Sequence, residues 1–169
     1  VEVGLKAGVD TIEHGAPLTD ELLKLFKKNG LGNASSLTCT LSPALPFAVL
    51  SPEKTHSTHV QKVNGRVVYE GVATATRQAL ANGIPVGLGT DSACPFVTHY
   101  DMWREVRYFH TFCGVSNAFA LHTATLGNAK IAGIDGITGS LTPGKSADLI
   151  VTAGNPLEDL EALRHVSVV

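Results

Sequence analysis

Apolar and polar residues follow one another along the chain in two spacings, one typical of helices and one typical of strands. Helical spacing ends at Gly8, and a short β-rich run at residues 9–13 predicts a strand. A second helix is predicted to begin at Thr19, which is a good N-cap, and to be closed by Gly30. A second strand is predicted around residues 37–41.

The middle of the chain repeats this order after a longer connection. Residues 42–65 contain several Ser and Pro residues and form a stretch that is long for a connection in a compact domain, so we predict a loop that acts as a lid. Helical spacing returns at residues 66–82, and residues 84–88 predict a third strand. Asp101 and Ser116 are placed to cap two further helices.

This alternation of strands and helices predicts an α/β fold with a parallel sheet and an active site at the carboxyl ends of the strands. From residue 139 the pattern changes to turns and short strands at residues 148–151 and 166–169. We therefore predict two parts, an α/β part at residues 1–135 and a small β part at residues 136–169.

Composition and charge limit the classes of partner. With 169 residues and 44% hydrophobic content the chain can bury a core of one domain. Its net charge of −2 is spread without blocks of like charge, which predicts small-molecule partners and neither nucleic acid nor a membrane surface. No apolar run approaches the ~20 residues of a spanning helix. Three widely spaced cysteines fit reduced thiols in a cytoplasmic enzyme.

Two polar residues follow predicted strands directly. His14 follows the first strand within Glu-His-Gly, and Asp91 follows the third within Gly-Thr-Asp-Ser. Imidazole and carboxylate groups are suitable ligands of Zn²⁺, and a carboxylate beside metal-bound water can also take its proton. A His after a strand and a Gly-Thr-Asp turn are also common without any function, so the pattern alone leaves both interpretations open.

Four longer motifs reduce that ambiguity, because together and in this order the chain resembles the amidohydrolase superfamily of metal-dependent hydrolases. The branch it resembles most is that of imidazolonepropionase and prolidase-like carboxypeptidases. The last of the four motifs is the most specific. The motifs are AGVDTIEHG at residues 7–15, GLGTDS at 87–92, LHTATLGNAK at 121–130 and GSLTPGKSADLIV at 139–151.

The resemblance implies the C-terminal part, about strands six to eight, of a metal-dependent (β/α)8 TIM barrel, with part of a small β-sandwich domain. His14 would be the metal ligand after the sixth strand. Asp91 would be a metal ligand after the eighth strand and the catalytic residue, which takes a proton from metal-bound hydroxide and passes it to the leaving group. His99 lies where the family carries a residue that faces the substrate.

The implied cofactor is a divalent metal, with zinc expected and one or two ions in the complete enzyme. The implied reaction is hydrolysis by metal-activated water of an amide or peptide bond, in a dipeptide or an N-acyl amino acid, or of a cyclic amide. The small-molecule or dipeptide-like substrate itself is not specified by these motifs.

The chain also departs from the family. A whole barrel needs at least ~200 residues, and the family's metal ligands after strands one, four and five have no counterpart here. We therefore expect a missing N-terminal barrel half or a homo-oligomer, and an inactive isolated chain. The alternative is a truncated, catalytically incomplete structural fragment that self-associates. A nucleotide-binding domain is disfavoured, because Gly87 and Gly89 lack the third glycine of that fingerprint.

Overall fold

The computed structural model describes the backbone of residues 1–169 and the side chains of all of them except Pro52. The strands are β1 (Thr11–Glu13), β2 (Ser36–Cys39), β3 (Val86–Leu88), β4 (Val151–Thr152) and β5 (Val166–Val168). The helices are α1 (Glu2–Ala7), α2 (Asp20–Lys27), α3 (Leu45–Val49), α4 (Pro52–Thr55), α5 (His59–Ala81), α6 (Met102–Cys113), α7 (Asn117–His122) and α8 (Asn128–Ile131), with a π-helical segment at Thr123–Gly127 and a 3₁₀ turn at Leu160–Arg164.

The first three strands form a parallel sheet in the order β1-β2-β3. Ile12 lies opposite Leu37 in one pair, and Leu37 lies opposite Val86 in the next. Helices connect the strands, as parallel pairing requires, so the predicted α/β architecture and parallel sheet are confirmed. The carboxyl ends of all three strands consequently meet at one edge of the sheet.

The core lies between this sheet and the helices that connect its strands. Its largest fully buried apolar side chains come from α1, α2, β2 and α6, and α5 adds a row of small buried residues along one face. The large members are Leu5, Phe26, Leu37 and Phe109, together with Leu41 just after β2. In the described part of the chain, no helix combines the length and the apolar character of a membrane-crossing helix.

The predicted lid loop at residues 42–65 is wrong, because most of this stretch is helical. It holds α3, α4 and the first two turns of α5, which begins at His59 and not near residue 66. Thr58 is the reason: its hydroxyl accepts from the backbone N–H of Gln61, and the Gln61 side chain accepts from the Thr58 N–H. This capping box satisfies two N–H groups that a helix end otherwise leaves free.

The β part is smaller than the pattern predicted. β4 and β5 form a two-stranded antiparallel sheet, and residues 148–150 lie outside it. Side chains hold the preceding turn: Lys145 Nζ donates to Ser140 Oγ at 2.8 Å, and Thr138 Oγ1 donates to Asp148 Oδ2 at 2.7 Å. The division of the chain at residues 135 and 136 stays a prediction.

Gly30 has a different role from the predicted one. α2 ends at Lys27, and Lys28 is its C-cap. The N–H of Gly30 donates to the carbonyl of Leu5 at 2.8 Å, and a Cβ on Gly30 would overlap the carbonyl oxygen of Lys6. The glycine therefore allows the loop after α2 to lie directly against α1.

We expect Gly30→Ala to destabilise the protein by about 1–3 kcal/mol, the usual cost of overpacking, since the added methyl group meets backbone and not a mobile side chain. Gly136→Ala is the matched control, because a Cβ there meets nothing within 4 Å. Urea unfolding of both variants measures the difference. Equal midpoints for the two variants would contradict the close approach at Gly30.

Candidate functional site

The two residues that sequence analysis placed after strands lie side by side. His14 follows β1 and Asp91 comes three residues after the end of β3. His14 Nε2 is 3.7 Å from Asp91 Oδ2, and their side chains are 40% and 50% exposed. The two groups come from the outer strands of the sheet, so they meet above the carboxyl end of β2. Solvent and a ligand can both reach them.

Both residues have left-handed backbone conformations. The φ angle is 60° at His14 and 51° at Asp91, a region that residues other than glycine rarely adopt. Such residues cost on the order of 1–3 kcal/mol each and persist where the surroundings determine them. At His14 the backbone N–H donates to the carbonyl of Thr38 at 3.1 Å, which continues the strand pairing up to the strained residue.

The separation of the pair suits two ligands of one ion. A distance of 3.7 Å is too long for a direct hydrogen bond between the two groups. Nitrogen and oxygen ligands of a tetrahedral zinc ion at their usual bond lengths lie about 3.4 Å apart. Across the described residues no group of three or more His, Cys, Asp or Glu side chains is gathered as a metal site. The chain therefore brings together two of the candidate ligands.

Cys94, one of the three cysteines, contacts Asp91. The Cys94 thiol donates to Asp91 Oδ2 at 3.4 Å, and this hydrogen bond to an anionic group raises the pKa of Cys94. The loop between them is tightly folded, with a positive φ also at Ala93. In the sequence, Cys94 comes three residues after Asp91. That spacing does not predict a contact unless the turn between the two residues is known.

His99 is placed differently. It lies exposed in the turn before α6, and within the described residues no hydrogen bond or ion pair joins it to His14 or Asp91. Its predicted contact with substrate stays a prediction. In the described part of the chain, no hydrogen bond or ion pair joins the other five histidines to His14 or Asp91 either. They are His56, His59, His110, His122 and His165.

Glu105, a fully buried carboxyl on α6, was not indicated by any pattern in the sequence. It accepts hydrogen bonds from the backbone N–H of Leu41 at 2.7 Å, from the N–H of Ser42 at 2.9 Å, and from the Ser42 hydroxyl. Burial raises the pKa of Glu105 to about 7, although its three donors oppose that rise. Glu105 thus fixes the chain where it leaves β2, the central strand of the sheet.

A cavity of about 460 Å³ lies next to this buried carboxyl, between α3 and α6. Its lining is mostly apolar and includes Ser42, Phe96 and Tyr108. Neither His14 nor Asp91 contributes to that lining, so the cavity is separate from the candidate metal ligands. Phe96 and Val97 connect the two regions, since they belong to the loop that follows Asp91.

The sequence and the fold match known proteins over nearly the whole chain. The amidohydrolase family matches residues 4–169. A curated relative, 5-methylthioadenosine/S-adenosylhomocysteine deaminase of Teredinibacter turnerae, is 31% identical over 127 residues, which are 70% of this chain and 28% of the relative.

Two solved structures are similar at higher coverage of the chain. A protein of Bifidobacterium longum named as a candidate prolidase is 46% identical with a TM-score of 0.91, over 96% of this chain and 40% of its own. A Xaa-Pro dipeptidase with bound methionine in its active site is 31% identical with a TM-score of 0.77, over 96% of this chain and 38% of its own. An adenosine deaminase of Xanthomonas campestris with bound zinc shares the fold at 19% identity and a TM-score of 0.60, over 92% of this chain and 34% of its own. The chain thus spans well under half the length of each of these proteins.

We expect the buried Glu105 carboxyl to make stability depend on pH. Its pKa is raised from 4.5 to about 7, so its contribution is fully present below pH 4.5 and is lost as the pH rises through 7. The loss is on the order of 3 kcal/mol. Urea unfolding of the wild type and of Glu105→Gln between pH 4 and pH 8 measures it, since the amide cannot ionise.

The free energy of unfolding of the wild type should fall relative to Glu105→Gln across this range. The matched control is Glu70→Gln, which changes an exposed carboxylate paired with Arg66 and should leave the curve parallel to that of the wild type. Parallel curves for Glu105→Gln as well would contradict the burial of an ionisable group at this position.

Proposed function

The chain belongs to the amidohydrolase family, and on that premise we propose that it forms part of a metal-dependent hydrolase that cleaves an amide bond with water. The observation that carries the proposal is the 3.7 Å approach of His14 Nε2 to Asp91 Oδ2 at the carboxyl ends of parallel strands. Family membership supports a hydrolase. The metal, the substrate and the roles of single residues are our proposals.

The donor set fits a divalent metal. The amidohydrolase superfamily is generally metal-dependent, and a zinc ion accepts imidazole nitrogen and carboxylate oxygen together. His14 Nε2 and Asp91 Oδ2 would hold the ion. When bound, the ion lowers the pKa of its water toward 7 and polarises the carbonyl to be cleaved. We propose zinc, with one or two ions in the complete enzyme.

The protein's own groups would supply orientation and proton transfer. Asp91 has a second carboxylate oxygen, Oδ1, so one oxygen can face a cation while the carboxylate still accepts a proton from the attacking water. The same proton can then pass to the nitrogen of the leaving group. Cys94 donates to Asp91 Oδ2 and so restricts rotation of this carboxylate. His99 is proposed to contact the substrate from the turn before α6.

For the substrate class we propose a dipeptide, an N-acyl amino acid or a cyclic amide. Peptide-bond hydrolysis is supported by similarity to the candidate prolidase of Bifidobacterium longum and to a Xaa-Pro dipeptidase. Within a (β/α)8 barrel we propose that β1, β2 and β3 correspond to strands six to eight. The segment that relatives have and this chain does not span would then bring further metal ligands.

A second candidate follows from one observation: among the residues with described side chains, no group of three potential ligands is gathered. The chain would then be a catalytically incomplete fragment that self-associates or requires an N-terminal half. Light scattering, together with metal-binding and activity assays, distinguishes this candidate from the first. A monomer that binds metal and hydrolyses substrate would contradict it. A chain that self-associates and binds no metal would support it.

We expect the chain to bind Zn²⁺ through His14 and Asp91, so His14→Ala and Asp91→Asn should each reduce affinity at least about tenfold. Isothermal titration with zinc chloride measures this. The control is His122→Ala, which removes an exposed imidazole from the end of α7 and should leave the affinity unchanged. Equal affinities in all four proteins would contradict the proposed site.

With the complete enzyme, Asp91→Asn should reduce kcat for dipeptide hydrolysis by about 10²–10⁴-fold, because an amide cannot accept the proton. Release of the free amino acid, measured with a panel of Xaa-Pro dipeptides and N-acyl amino acids, is the assay. Full activity of this variant would mean that another group carries the proton.

A further inference from the structure

β3 has one side without a neighbouring strand. Two hydrogen bonds join its ends to β2: Leu37 N–H donates to the Pro85 carbonyl at 2.9 Å, and Gly89 N–H donates to the Cys39 carbonyl at 3.1 Å. Because strand residues alternate in direction, the N–H and C=O of Leu88 point away from β2. In the sheet as described, no strand pairs with β3 on that side.

The side chain of Asn128 occupies this place. Its Oδ1 accepts from the Leu88 N–H at 2.9 Å, and its Nδ2 donates to the Leu88 carbonyl at 2.9 Å. One side-chain amide thus makes the two hydrogen bonds that a neighbouring strand would make. Leu88 is only 5% exposed, so without Asn128 its two backbone groups would lose their hydrogen bonds where water hardly reaches them.

Two further features allow this contact. The π-helical segment Thr123–Gly127 comes directly before Asn128, and such segments frequently occur at functional sites. Opposite Asn128, a Cβ on Gly87 would lie 3.0 Å from Oδ1. Gly87 therefore leaves the space that the amide needs against the strand.

The contact lies three residues before Asp91. Leu88 is held by Asn128 on one side, and Gly89 is held by Cys39 on the other. The direction in which Thr90 and Asp91 leave the sheet is therefore set by both sides of the strand end. Asp91 itself has the left-handed φ of 51°, a conformation that its surroundings must enforce.

We infer that Asn128 is a positioning residue for Asp91, since its side-chain amide replaces a neighbouring strand at Leu88 and holds the end of β3 from which Asp91 projects. The inference rests on the proposed role of Asp91 as a metal ligand. It adds a residue 37 positions from Asp91 in the sequence. Asn128 acts only through the backbone of β3.

The test compares Asn128→Ala and Asn128→Asp with the wild type in the full 169-residue chain. Asn128→Asp keeps the size of the side chain and can accept from Leu88 N–H, but as a carboxylate it cannot donate to the Leu88 carbonyl. The matched control is Asn117→Ala, which removes an asparagine whose Nδ2 donates to two backbone carbonyls, those of Leu157 and Glu158, away from β3.

Three NMR measurements are made on each protein. Hydrogen exchange at the Leu88 amide reports the contact, and residual dipolar couplings at Thr90 and Asp91 report the direction of the strand end. Mn²⁺ titration, followed by line broadening at His14 and Asp91, reports metal affinity. We expect about tenfold faster exchange at Leu88 in Asn128→Ala, altered couplings, and about tenfold weaker Mn²⁺ binding, with smaller changes of the same kind in Asn128→Asp and none in Asn117→Ala.

The inference is overturned if Leu88 exchanges faster in Asn128→Asp while the couplings at Thr90 and Asp91 and the Mn²⁺ affinity stay those of the wild type. If Asn128→Ala does not fold, the same three measurements on Asn128→Asp and the wild type decide the question. If the wild type binds no Mn²⁺, the proposed metal role of Asp91 fails, and the couplings still show whether Asn128 sets the direction of the strand end.

Discussion

Backbone hydrogen bonding at the carboxyl ends of the parallel strands is the constraint on which the rest of this structure depends. The chain must leave the sheet there, inside the protein, and its N–H and C=O groups lose their strand partners. Two distant side chains replace those partners: Glu105 binds the N–H groups of Leu41 and Ser42, and Asn128 binds both groups of Leu88. Asn128 holds the end of β3, from which Asp91 projects, and Glu105 holds the chain after β2, the strand between those that His14 and Asp91 follow.

Two energetically unfavourable features occur at these strand ends, a buried carboxyl and a strained backbone. A buried carboxyl at Glu105 is unfavourable when ionised, yet its three donors favour the ionised form. His14 and Asp91 hold left-handed conformations that an unsupported loop would relax. The hydrogen bonds of Glu105 and Asn128 therefore keep strand ends ordered, while His14 and Asp91 are strained. Members of a metal-dependent family need such order, because ligands must be held in place before the ion arrives.

Much of the fold was predictable from local sequence, and the failures have physical reasons. Thr19 and Ser116 cap the predicted helices with their own side chains, and the alternation of elements correctly indicated a parallel sheet. The lid at residues 42–65 was wrong because Ser and Pro also begin helices, and a capping box at Thr58 starts α5 early. His14 and Asp91 were chosen as candidates because both follow strands, and the structure brings them together, while their roles stay predictions. Glu105 and Asn128 were not chosen, since each acts on backbone 40 or more residues away, which no local pattern records.

The π-helical segment before Asn128 has a consequence for how this chain can vary. A π turn holds one residue more than an α turn, and each residue of a helix turns the following side chain by about 100°. Losing one residue between Thr123 and Gly127 would restore a regular helix and rotate the next side chain away from β3. The length of this segment, and not only the identity of its residues, therefore determines whether Asn128 reaches Leu88.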